Sequence, residues 1–132
     1  MKLTPSSRKG VSNMGLTPVA VRLRSFSSNE FYQSQFLVNT GATDSLAPAS
    51  ELKKIGIKAI GKMAYELATG TIVEYEFGLA EISFMNETTA GRIIFGPDNV
   101  EPLLGVTALE SVGVTIDPTN RTLKRLPAIP LK

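Results

Sequence analysis

Phe36 to Ser45 reads FLVNTGATDS, an apolar run that delivers Asn39 into a Thr-Gly-Ala turn. A polar side chain at the end of a strand sits on a rigid element, and Gly41 lets backbone come close to a ligand. The same residues suit an ordinary Asx turn, in which Asn39 caps its own backbone and Gly41 takes a positive φ. With a carboxylate in place of the Asn39 carboxamide, the stretch would read Asp-Thr-Gly-Ala. The choice is therefore between a turn residue and the seat of an acid-base group.

Composition narrows that choice. The 132 residues, 42% of them hydrophobic, suffice for one domain with a core. There is no Cys and no His. Disulfides, thiolate nucleophiles, Ser-His triads and the usual zinc sites are thereby excluded, and catalysis would have to rest on carboxylates, Lys, Tyr or an activated water. No cofactor or metal ion is expected. Phosphate-loop, nucleophile-elbow and dinucleotide motifs are missing. Of 14 basic and 12 acidic residues, Lys2, Arg8 and Lys9 fall in residues 1–13, where there is no acid, so the body is close to neutral. Neither a nucleic-acid partner nor a membrane partner is expected from that balance, and without a secretory segment a cytoplasmic location is the default.

Along the chain, residues 1–13 read as a flexible leader or added segment, with a fresh start at Met14. The domain is expected over 14–127, with a C-terminal tail at 128–132. Val19, Val21 and Leu23 alternate with polar partners, the period of a half-buried strand, and FYQSQFLV reads as its partner. Pro48 and Gly56 frame a helix of two turns at most. Tyr65 to Tyr75, YELATGTIVEY, is the clearest hairpin, turning at Thr69-Gly70. Leu103-Leu104 is a short apolar strand that breaks at Gly105 into a helix, and an Asp-Pro-Thr-Asn turn separates two closing strands. Many short strands with a single late helix indicate an all-β closed barrel or sandwich.

Three of these motifs in this order, LVNTGA, YELATGTIVEY and LLGVTALESVG, resemble the retropepsin-like aspartic peptidases, the small homodimeric relatives of retroviral proteases. The likeness runs from about Met14 to Leu126. It implies a barrel-like acid-protease fold with a flap hairpin and one short C-terminal helix, and a homodimer acting on a peptide or protein substrate. It puts Asn39 where the family keeps its catalytic Asp, beside Thr40 and Gly41, with Thr40 reaching the partner subunit across the two-fold axis. Ala42 and Asp44, with Ala68, Thr69, Gly70 and Thr71 at the flap tip, are the implied substrate contacts. Viral members often pair an Asp after the Ala with an Arg after the helix-opening Gly. Thr43 and Val106 stand there instead, so both partners of that ion pair are lost together.

An amide cannot take up a water's proton, so an Asn39 pair implies a nearly inactive endopeptidase. An engineered inactivation is the favoured origin of Asn39, a natural pseudoprotease the other. The rival from a different class is a non-catalytic β-domain that binds peptides or partners, with Asn39 merely capping its turn. Asp98 and Asp117 are expected in surface turns, and Val73, Tyr75, Phe77, Leu103 and Leu104 in the core.

Overall fold

The computed structural model describes residues 16–131. The expected leader at 1–13 lies outside the described residues. Strands β1 (Leu16–Arg24) and β2 (Phe31–Asn39) form an antiparallel hairpin whose register runs from Leu16↔Asn39 to Arg24↔Phe31. The expected alternation is present. Val21 and Leu23 are buried with Phe36 and Val38, while Arg22, Phe31 and Gln33 face out. The exposed Phe31 ring is covered by the Arg22 guanidinium at 4.3 Å.

After the loop come β3 (Ser45–Pro48) and helix α1 (Ala49–Lys54), which ends at the expected Gly56. Pro48 supplies no side-chain cap, and Asp98 accepts the Ser50 amide instead, at 3.0 Å. Strands β4 (Gly61–Glu66) and β5 (Ile72–Phe84) make the long hairpin. The residues linking β5 to β6 (Glu87–Gly96) are Met85 and Asn86, at φ 54° and 62°. Positive φ at both central residues gives the turn whose twist matches its strands. Strand β7 (Leu103–Gly105) then leads straight into α2 (Val106–Ser111), so two short helices accompany the barrel, the expected one after Pro48 and the late one after Gly105. Strands β8 (Val114–Asp117) and β9 (Thr122–Arg125) form a separate two-stranded sheet around the expected turn.

The large sheet runs β1-β2-β7-β3-β6-β5-β4, and β1 also pairs with β5 through Arg22↔Ser83 to Arg24↔Glu81. That second pairing closes six strands into a barrel and leaves β4 outside it as an edge. An ion pair of 2.7 Å between Arg24 and Glu81 sits at the closure. The core inside includes Leu23, Phe36, Leu52, Ile82, Ile93, Leu104 and Leu109. Phe77 is buried as expected, but Val73 and Tyr75 are only half-buried, because they lie on the hairpin beyond the barrel wall. Leu104 is fully buried and Leu103 half-buried.

No helix among the described residues is long and apolar enough to cross a membrane.

Candidate active site

Strand β7 lies between β2 and β3, parallel to β2 through Val38↔Leu104 and Asn39↔Gly105, and antiparallel to β3 at Leu46↔Leu103. The loop from Asn39 to Ser45 therefore arches over the end of β7 and the start of α2. The crossing is tight. A Cβ on Gly105 would stand 2.6 Å from the Thr43 carbonyl oxygen and from the Asp44 carbonyl carbon, so only glycine fits there.

Hydrogen bonds sew the two segments together at this crossing. The Gly105 amide donates to the buried Ser45 hydroxyl at 3.0 Å. The Val106 amide donates to the Ala42 carbonyl at 2.8 Å, and the Thr107 amide to the Thr43 carbonyl at 3.2 Å. Where the resemblance implied a viral ion pair, Thr43 and Val106 stand in this backbone seam. No charge is needed to hold it.

Asn39 is half-buried at the last position of β2. Its Oδ1 accepts the Gly41 amide at 2.9 Å, and its carbonyl accepts the Ala42 amide at 3.0 Å. This is an Asx turn. Gly41, however, lies outside the left-handed region, which corrects the expected positive φ. Tightness explains the residue better: a Cβ on Gly41 would meet Asn39 Oδ1 at 3.2 Å. Thr40 and Gly41 are exposed at the crest of the turn, Ala42 and Asp44 half-buried on its descending arm.

The other group of expected site residues forms the tip of the hairpin. Gly70 adopts φ 87°, which lets its amide donate to the Leu67 carbonyl at 2.8 Å, while the Leu67 amide donates to the Thr71 carbonyl at 2.9 Å. Ala68, Thr69, Gly70 and Thr71 are all exposed. The hairpin has two unlike faces. Met63, Tyr65, Val73, Tyr75 and Phe77 share one by strand alternation; Lys62, Glu66, Glu74 and Glu76 share the other.

The structure thus gathers Asn39, Thr40, Gly41, Ala42 and Asp44 into one loop and sets Ala68 to Thr71 on a separate hairpin. Below the tip, on β4, the Tyr65 hydroxyl is close to Asp44 of the loop and to Arg92. Burial pushes the Tyr65 phenol above the ordinary tyrosine range; the Asp44 charge pushes the same way, and Arg92 opposes them. Sequence reasoning missed Tyr65, Arg92 and Ser45. Alternation along the hairpin marks the face of Tyr65, but nothing local links it to Asp44. Asp98 and Asp117 occupy turns away from the loop, accepting backbone amides of Ser50 and of Thr119 and Asn120 respectively. Among the described residues, no three metal-ligating side chains cluster.

The fold has solved counterparts. The EIAV protease complexed with the inhibitor HBY-793 is similar at 16% identity and a TM-score of 0.58, over 82% of this chain and 99% of that one. The solution structure of Simian Foamy Virus (mac) protease is similar at 13% identity and a TM-score of 0.48, over 67% of this chain and 87% of that one. No protein-family model and no curated protein matches the sequence. The barrel, with its crossed loop and hairpin, is an all-β fold of the retroviral-protease type.

Proposed function

We propose that the chain is an aspartic endopeptidase scaffold that works as a two-fold homodimer on extended peptides, disarmed by Asn39. The observation that carries this reading is the position of Asn39. It ends strand β2, is paired with Gly105, and has its side chain oriented by an Asx bond that a carboxylate would accept equally well. One loop per chain presents one such group, so a pair requires a second copy. Thr40, exposed at the crest, is the residue suited to bond across the axis.

In a paired site with carboxylates at position 39, one would take a proton from a water as its oxygen attacks the peptide carbonyl carbon. The other, protonated, would give its proton to the carbonyl oxygen. A carboxamide has the same shape but no site for the water's proton. With Asn39 in both copies, binding survives and hydrolysis stops. The flap hairpin, with Ala68 to Thr71 at its tip, would cover the bound segment and add strand-like hydrogen bonds.

A second reading is favoured by one observation, the Asn39–Gly41 bond itself. An Asx turn accounts for Asn39 without any chemistry, as in a peptide-binding β-domain that never cut. Asn39→Asp separates the two. Dimeric Asn39→Asp protein should cleave members of a diverse peptide library between about pH 3 and about pH 7. No cleavage, or a monomer at near-millimolar concentration by sedimentation, would leave the binding module in its place.

A further inference from the structure

Among the described residues, strand β4 is an edge, joined to the barrel by backbone only through β5. A hairpin attached on one side peels open readily unless its side chains hold it. The inward face of β4 meets such a hold. Arg92 of β6, in register with Leu79, stacks its guanidinium over the Phe77 ring at 4.2 Å and contacts Sδ of Met63 on β4. Two residues farther along the same face, the Tyr65 hydroxyl oxygen is closed off from solvent, yet completes no hydrogen bond among the described residues. Asp44 from the site loop and Arg92 both lie beside it. A small cavity of about 30 Å³, lined by Thr43, Asp44, Arg92 and Thr107 among others, adjoins the pair and has room for one water.

A buried hydroxyl without a partner is costly, so such a group is normally satisfied by a neighbour or a water. A phenol both donates and accepts. It can give its proton to a carboxylate, which only accepts, and receive one from a guanidinium, which only donates. The three groups come from β4, the site loop and β6, so closing this contact ties the hairpin to the loop just before its turn.

We infer that Tyr65, Asp44 and Arg92 form a latch that fastens the β4–β5 hairpin to the site loop just before its turn, at the Tyr65–Val73 pair, and confines its opening to the tip, residues 67–72. Tyr65 and Arg92 act as positioning residues. The inference rests on the hairpin being the movable cover of the proposed site, but the fastening itself does not involve Asn39.

Hydrogen exchange on the full chain tests it. Tyr65→Phe removes one oxygen and keeps the ring that lies 6.3 Å from Tyr75. Amides of 61–66 should then exchange about tenfold faster, while those of Val38 and Leu104 keep their rates. Combining Tyr65→Phe with Arg92→Gln should open the hairpin no further than Arg92→Gln alone, because one latch breaks once. Exchange at 61–66 that is unchanged or slower in Tyr65→Phe overturns the latch. So does equal acceleration at Val38 and Leu104, or strict additivity in the double variant. The measurement uses the Asn39 chain without substrate, so inactivity of Asn39→Asp would overturn the peptidase reading and leave this result standing.

Discussion

The loop from Asn39 to Ser45 and the hairpin tip from 67 to 72 are both turns rich in Thr and Gly, but they are held in opposite ways. The loop is bonded to a distant part of the chain, through Gly105 to Ser45, Val106 to Ala42 and Thr107 to Thr43. Among the described residues, the tip bonds only to itself, through Gly70 to Leu67, Leu67 to Thr71 and Thr69 to Thr71. Non-local bonds over a buried strand fix side chains for a precise task, whereas a self-contained turn can swing as a unit. The difference suits the proposed roles, the loop as the reactive element and the hairpin as its cover.

The largest expected effect comes from placing a carboxylate in the rigid loop. Asn39→Asp should raise peptide hydrolysis about a thousandfold or more over the Asn39 protein, the usual scale for a placed acid-base group. The rate should fall as pH rises through the upper apparent pKa of the carboxylate pair, since like charges so close cannot both serve once ionised. Hydrolysis that is flat from acid to neutral pH would mean another group does the chemistry.

Next in size is a pair of substitutions that compares the two turns directly. Gly105→Ala drives a methyl into the Thr43 and Asp44 backbone and should cost about 3 kcal/mol, read as a large drop in thermal midpoint. Gly70→Ala meets nothing within 4 Å but keeps a left-handed backbone, and should cost only about 1 kcal/mol. Equal costs at the two positions would break the comparison. Ser45→Ala lies between them, at about 2 kcal/mol, because it strips the buried Gly105 amide of its acceptor.

The smallest effect belongs to a turn outside both regions. The backbone amides of Thr119 and Asn120 hold the Asp117 carboxyl below the usual range. A carboxyl whose folded pKa is depressed contributes stability that is present above its unfolded pKa and lost as pH falls through the folded one. Replacing Asp117 with Asn should therefore narrow the stability gap between neutral and strongly acidic solution, by little, because the group is fully exposed. A wider gap in thermal melts across that range would contradict the assignment.

Some of this architecture is legible along the chain. Val21 and Leu23 announce their strand by alternation, Thr69-Gly70 and Asp117-Pro118 announce their turns, and the lack of His and Cys limits the chemistry. Asn39 is legible only as a choice, since its capping bond to Gly41 and a catalytic seat draw on the same residues. These features depend on dihedral preference and on period, which a few neighbouring residues specify.

Tertiary structure alone decided the rest. That β1 closes on β5, that Asp98 caps a helix 48 residues away, that Gly105 must be bare to pass under Asp44, and that Tyr65 meets Asp44 and Arg92 are facts about residues far apart in sequence. Such contacts form when the apolar faces of many strands bury together, and their geometry follows from the closed barrel as a whole. No local preference encodes it, because each partner taken alone is an ordinary Gly, Tyr or Asp.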